Sequence, residues 1–165
     1  DADMRRPSVG KALGLAPGAA GLSNLVAGTA SVEECIQHFK AGNIDVITAG
    51  VIPPNPSELL SSKRFAAVLE SLETKYDRII IDTAPCQAVS DALVLAPVVG
   101  AMVYVVKSDS TPYQQAKAGL KRLREAHAPV IGVVLNQVDV KKGAKYHGQE
   151  YGGYYDVYGY GGAKS

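Results

Sequence analysis

Arg78-Ile79-Ile80-Ile81-Asp82-Thr83-Ala84-Pro85 is the stretch that decides the fold. Three consecutive β-branched residues make a short apolar run, the pattern of a parallel strand covered on both faces. Asp82 stands at its C-terminal end, where open α/β sheets bind their ligands. A carboxylate there is the usual cation holder of a nucleotide site, although many strands also end in Asp as a helix cap. Asp1-Ala2-Asp3-Met4-Arg5-Arg6-Pro7 strengthens the first reading. Its two carboxylates, spaced i, i+2, lie on the same side of an extended backbone. Such a pair at a strand end is suited to holding a divalent cation or accepting a proton.

Outward from these motifs, strands are expected at residues 44–48, 78–82, 101–107 and 130–136. The runs 103–106 and 130–135 are continuous rather than alternating, which again predicts burial on both faces. Helix signals separate the strands. Asn55-Pro56-Ser57-Glu58 offers an N-cap, Pro at the first helical position and Glu at N3, as in a capping box. Thr111-Pro112 opens a helix that runs to about Ala128, where Pro129 ends it. Residues 66–75 carry Val68, Leu69 and Leu72 on one face. Short helices are expected at 9–13, 22–26 and 32–39, the last capped by Ser31 with Glu34 at N3. Asp91 reads as a helix-starting carboxylate within reach of the metal region. Strand alternating with helix predicts a doubly wound α/β fold, a mainly parallel sheet with helices on both faces.

The chain has 165 residues, enough for one domain with a real core. A net charge of +1 gives no sign of a nucleic-acid partner. No apolar run has the length needed to span a bilayer. Cys35 and Cys86 lack metal-ligand spacing and read as buried thiols of a reducing compartment. His38, His127 and His147 are scattered, and nothing pairs them with a nucleophile.

The end differs in kind. Between Tyr146 and Tyr160 lie six tyrosines, four glycines and one aliphatic residue, Val157. Such a segment buries too little apolar area to fold alone. A sticky low-complexity linker, an idle terminus and a set of phosphate acceptors are all compatible with it. A neighbouring nucleotide site favours the acceptors. The expected division is therefore a folded unit over 1–140 and a flexible tail over 141–165.

Together these motifs resemble one family. Asp1-x-Asp3-x-Arg5-Arg6-Pro7 is similar to the second Walker-type motif, A-prime, of the bacterial tyrosine kinases of capsule and exopolysaccharide assembly. Residues 79–85 resemble their Walker B. Gly50-Val51-Ile52-Pro53-Pro54-Asn55-Pro56-Ser57-Glu58-Leu59-Leu60 resembles the family's signature between the two. The resemblance runs from Asp1 to Tyr160. It departs in one respect: no Gly-rich turn ending in Gly-Lys-Ser/Thr occurs, and Gly10-Lys11-Ala12 does not replace it. The chain is thus expected to be the C-terminal part of a P-loop-type kinase domain. The phosphate-binding turn is expected upstream, and the fragment alone is expected to be inactive.

The resemblance implies transfer of the ATP γ-phosphoryl group to tyrosine, with Mg²⁺ held by Asp3 and Asp82 and Asp1 accepting the phenol proton. That division of labour between Asp1 and Asp3 is reversible. Arg5 is expected either against phosphate or on a local carboxylate, and Asn136 either against adenine or as a strand-end cap. Tyr146, Tyr151, Tyr154, Tyr155, Tyr158 and Tyr160 are the expected acceptors, phosphorylated in trans within a ring-shaped homo-oligomer at the cytoplasmic face of the bacterial membrane. Tyr76, Tyr104 and Tyr113 are read as structural. A transmembrane polysaccharide co-polymerase region, fused or separate, and a cognate tyrosine phosphatase are the implied partners. Two other readings stand beside it: a partition or division-site ATPase, and an inactive phospho-acceptor module.

Overall fold

A computed structural model describes residues 1–139. Along them run α1 (Val9–Ala12), α2 (Leu22–Ala27), α3 (Val32–Cys35), β1 (Ile36–Phe39), β2 (Ile44–Ile47), α4 (Pro56–Leu60), α5 (Lys63–Glu73) and α6 (Asp91–Leu95). A 3-10 turn (Ala96–Val98), β3 (Met102–Lys107), α7 (Tyr113–Glu125) and β4 (Val130–Asn136) complete the order.

The C-terminal half is a βαβ unit. β3 and β4 pair in parallel, with Tyr104 opposite Val133 and Lys107 opposite Asn136. α7 bridges them, and Leu123 packs with Tyr104, Cys86 and Ala92 in a small core. Gly119 permits this close approach, because a Cβ there would sit 2.3 Å from the Tyr104 hydroxyl. The larger core joins Ala2, Met4, Leu22, Val26, Leu60, Phe65, Leu69 and Leu95. α5 supplies its face through Phe65, Leu69 and Leu72, all buried. Its start is fixed by Ser62, whose Oγ accepts the Phe65 N–H at 3.1 Å.

Four local expectations change. The helix over 32–39 stops at Cys35, although Ser31 and Glu34 do form their capping box. Ile36–Phe39 instead pairs antiparallel with Ile44–Ile47. Its strand-forming residues and the 40–43 turn, where Asn43 takes φ 47°, override the helical start. At Asn55 the capping box does not form: its side chain caps no backbone N–H, and its amide donates to Glu58 instead.

The third change concerns residues 78–82. They join no strand ladder among the described residues, because a ladder needs successive pairings with a neighbour. They still follow the strand period of two. Ile79 and Ile81 pack on the larger core, and Ile80 is 93% exposed. The fourth is burial. Val103 and Val105 are 53% and 57% exposed, so the described residues cover one face of β3 rather than two. The α/β class and the parallel pair stand.

Candidate active site

The two acidic motifs meet through the backbone. Ala2 N–H donates to the carbonyl of Asp82 at 2.8 Å. On its other side, the Asp1 nitrogen donates to the Ile47 carbonyl, also at 2.8 Å. The opening residues therefore lie between β2 and the 78–82 segment. Ala2 and Met4 are fully buried in the core, whereas Asp1 and Asp3 are only partly buried. Alternation thus sends both carboxylates to the face opposite the core.

The three carboxylates are employed differently. Asp1 Oδ1 accepts the Asp3 N–H, and its Oδ2 accepts the N–H groups of Ser8 and Val9, all at 3.1 Å. It thereby holds the 1–9 turn at the start of α1. Asp3 Oδ1 accepts the N–H groups of Arg5 at 3.1 Å and Arg6 at 3.0 Å. Asp82 is exposed, and its carboxylate makes no hydrogen bond or ion pair with the described residues.

These oxygens fit a hard divalent cation. Asp3 keeps one oxygen outside its turn, and both Asp82 oxygens are free. No cluster of three or more candidate ligands exists among the described residues. Mg²⁺ is usually bound by one or two carboxylates together with substrate phosphates, so Asp3 and Asp82 are the residues that would hold it.

Arg5 lies on a local carboxylate, one of its two expected positions. Its Nε donates to Asp91 Oδ2 at 2.8 Å and one terminal nitrogen to Asp91 Oδ1 at 3.1 Å. The same nitrogen reaches Ser57 Oγ at 3.0 Å, and the Ser57 hydroxyl donates to Asp91 Oδ1 at 2.5 Å. Asp91 is wholly buried. Its hydrogen bond from Arg5, with that of Ser57, holds its carboxyl below the usual aspartate range against the opposing effect of burial. The sequence marks Asp91 as a helix start within reach of the metal region and Ser57 as part of a cap or an intersubunit contact, but does not join the two. Their shared role depends on a contact 34 residues apart in the chain, which no local pattern encodes.

Asn136 closes β4 and lines a cavity of about 340 Å³ with Lys107, Thr111, Gln115, Gln137 and Gln87 of the loop after Asp82. Its Oδ1 accepts the Gln137 N–H at 2.8 Å, so it acts as a strand-end cap while facing that cavity. Gln87 and Arg122 carry no local sequence signal for the contacts they make. Gln87 donates to the Tyr104 hydroxyl at 3.1 Å and to the Gln115 carbonyl at 2.7 Å. Arg122 donates to the carbonyls of Cys86 at 2.7 Å and Gln87 at 3.1 Å. Together they fasten the loop after Asp82 to α7.

Cys35 and Cys86 are both buried and free, and burial raises both thiols. Tyr76 donates to Asp45 Oδ2 at 2.6 Å, and Tyr104 is buried. Tyr113 departs from its structural reading, being 73% exposed at the start of α7. Tyr146, Tyr151, Tyr154, Tyr155, Tyr158 and Tyr160 lie outside the described residues.

Asp82 ends an extended segment of an α/β chain, where open α/β sheets bind their ligands. No protein-family model matches the chain. It is 39% identical over 138 residues to tyrosine-protein kinase Etk of Escherichia coli K12, covering 84% of this chain and 19% of that protein. It is 35% identical over 146 residues to tyrosine-protein kinase YwqD of Bacillus subtilis, covering 88% of this chain. The solved kinase domain of VpsO superposes with a TM-score of 0.80 at 37% identity, covering 84% of this chain and 68% of that one. The chain belongs to the bacterial tyrosine kinases and corresponds to part of their kinase domain. It spans 61% of the length of YwqD.

Proposed function

We propose that the complete protein carrying this chain is an ATP-dependent tyrosine autokinase that phosphorylates its own C-terminal tyrosine cluster and so regulates capsule or exopolysaccharide assembly. The observation that carries this reading is the Ala2–Asp82 backbone bond, which joins the segment carrying Asp1 and Asp3 to the one that ends in Asp82. It is supported by kinship with the tyrosine kinases Etk and YwqD.

In this reading Asp3 and Asp82 would hold Mg²⁺, and the ion, when bound, would supply neutralisation of the phosphoryl charge. The acceptor phenol forms a bond to the γ-phosphorus as the bond to the β,γ-bridging oxygen breaks. The phenol proton passes to Asp1. An ionised carboxylate offers about four lone-pair sites, and three N–H donors occupy Asp1. About one site therefore remains for the phenol proton. Asn136, at the end of β4, contacts the adenine.

The acceptors are Tyr146, Tyr151, Tyr154, Tyr155, Tyr158 and Tyr160, reached in trans within a ring-like homo-oligomer at the cytoplasmic membrane face. A transmembrane co-polymerase region, fused or separate, and a tyrosine phosphatase complete the system. Full phosphorylation adds roughly −9 to −12 charges. Against a net charge of +1, that favours disassembly of the ring.

Incubating the complete protein with ATP and Mg²⁺ and probing for phosphotyrosine tests the reading. Label confined to the tail without added kinase supports it. Hydrolysis without label indicates a partition-type ATPase, and label only with a second, intact kinase indicates an inactive acceptor. Sedimentation of phosphorylated and dephosphorylated protein tests the ring; equal size in both states overturns that part.

A further inference from the structure

The Arg5–Asp91–Ser57 cluster joins the three segments that flank the site. Arg5 belongs to the opening acidic motif, Ser57 to α4 and Asp91 to α6. Its geometry is closed: Arg5 is bidentate on Asp91 and touches Ser57, and Ser57 returns a bond to Asp91. Planar two-point pairing of this kind fixes an arginine in both position and orientation. The backbone of the same residue is one of two N–H donors to Asp3 Oδ1. The rotamer of Asp3 and the seating of Arg5 are thus mechanically one unit.

We propose that Arg5 is a positioning residue for the Asp3 carboxylate, with Asp91 as its buried anchor and Ser57 as the brace, rather than a ligand of phosphate. The charge of Arg5 is already matched by Asp91, which is fully buried on the inner side of the pair. A buried carboxylate strongly resists losing its only cation. Residues that orient a metal ligand without touching the metal typically contribute 10–100-fold to metal affinity.

This role rests on the kinase reading, and its test separates the two. Arg5→Gln, Asp91→Asn, the double variant and Arg5→Lys are made in the complete protein. Mn²⁺ affinity in the presence of ADP is measured by electron paramagnetic resonance, ADP affinity without metal by calorimetry, and folding by thermal melting. Arg5→Gln and Asp91→Asn are each expected to weaken Mn²⁺ binding about 10–100-fold. The double variant, which leaves no buried charge unpaired, should be no worse than the poorer single variant. Arg5→Lys should restore only part of the loss, because an ammonium does not pair in two-point fashion. ADP affinity without metal should stay unchanged. If Arg5→Gln instead weakens metal-free ADP binding while Asp91→Asn binds normally, Arg5 is a phosphate ligand and the proposal is overturned. Lower melting temperatures with native Mn²⁺ affinity also overturn it. A wild-type protein that binds no Mn²⁺ with ADP sinks the kinase reading as well.

Discussion

Ala2 and Asp82, 80 residues apart in sequence, are joined by one backbone hydrogen bond of 2.8 Å. That bond couples the opening acidic pair to the strand-end carboxylate, and the burial of Ala2 and Met4 beneath it fixes which way Asp1 and Asp3 face. A site assembled this way is held by the core and by the Asp1 and Asp3 turns, so the exposed Asp82 carboxylate can be altered without unfolding it.

Asp82→Asn is therefore expected to abolish activity and spare stability. The side chain is exposed and makes no bond to the described residues. Autophosphorylation in the complete protein should fall about 100-fold or more, a barrier increase of about 2.7 kcal/mol or more. Chemical denaturation should shift by less than about 0.5 kcal/mol. A variant that keeps native phosphotyrosine labelling would remove Asp82 from the site.

Gly50→Ala should destabilise the start of the signature. Gly50 sits at φ 76°, and an added Cβ would lie 2.5 Å from Asn24 Oδ1 and 2.8 Å from the Gly21 nitrogen. Around it, Asn24 Oδ1 accepts the Val51 N–H at 3.2 Å, and Ser23 donates to the Val51 carbonyl at 2.6 Å. Left-handed strain of about 1 kcal/mol adds to that clash, so urea unfolding should show a loss above about 1 kcal/mol.

Phe65→Ala removes the largest fully buried side chain among the described residues, a member of the larger core. A loss of about 3–5 kcal/mol is expected, read from denaturant midpoints. Ser62→Ala, which removes the cap of the same helix, should cost about 0.5–2 kcal/mol.

Acid stability should depend on Asp91. Its folded pKa lies below the unfolded value of 3.8, chiefly through Arg5. A depressed carboxyl contributes stability that is complete above the unfolded value and is lost as pH falls through the folded one. Asp91→Asn should be less stable than wild type at neutral pH and lose less stability below about pH 4. Parallel stability curves over that range would exclude the carboxyl as the acid-sensitive group.

The sequence alone determined the elements whose signals are local. Ser31 and Glu34 sit three residues apart and form their capping box. The Val130–Asn136 strand follows from an unbroken apolar run, and Pro112 places the start of α7. The i, i+2 spacing of Asp1 and Asp3 put both on one face, because side-chain direction along an extended backbone is a property of the chain itself.

Only the tertiary structure decided what those groups touch. It turned residues 36–39 from helix to strand, since pairing with Ile44–Ile47 outweighs a short helix that gains little from its few internal bonds. It tied Arg5 to Asp91 across 86 residues and Ser57 to Asp91 across 34. It also left Ile80 outward while Ile79 and Ile81 turned in. Composition and spacing encode conformation over a turn or a strand; partners in the fold are chosen by packing, which the order of residues does not display.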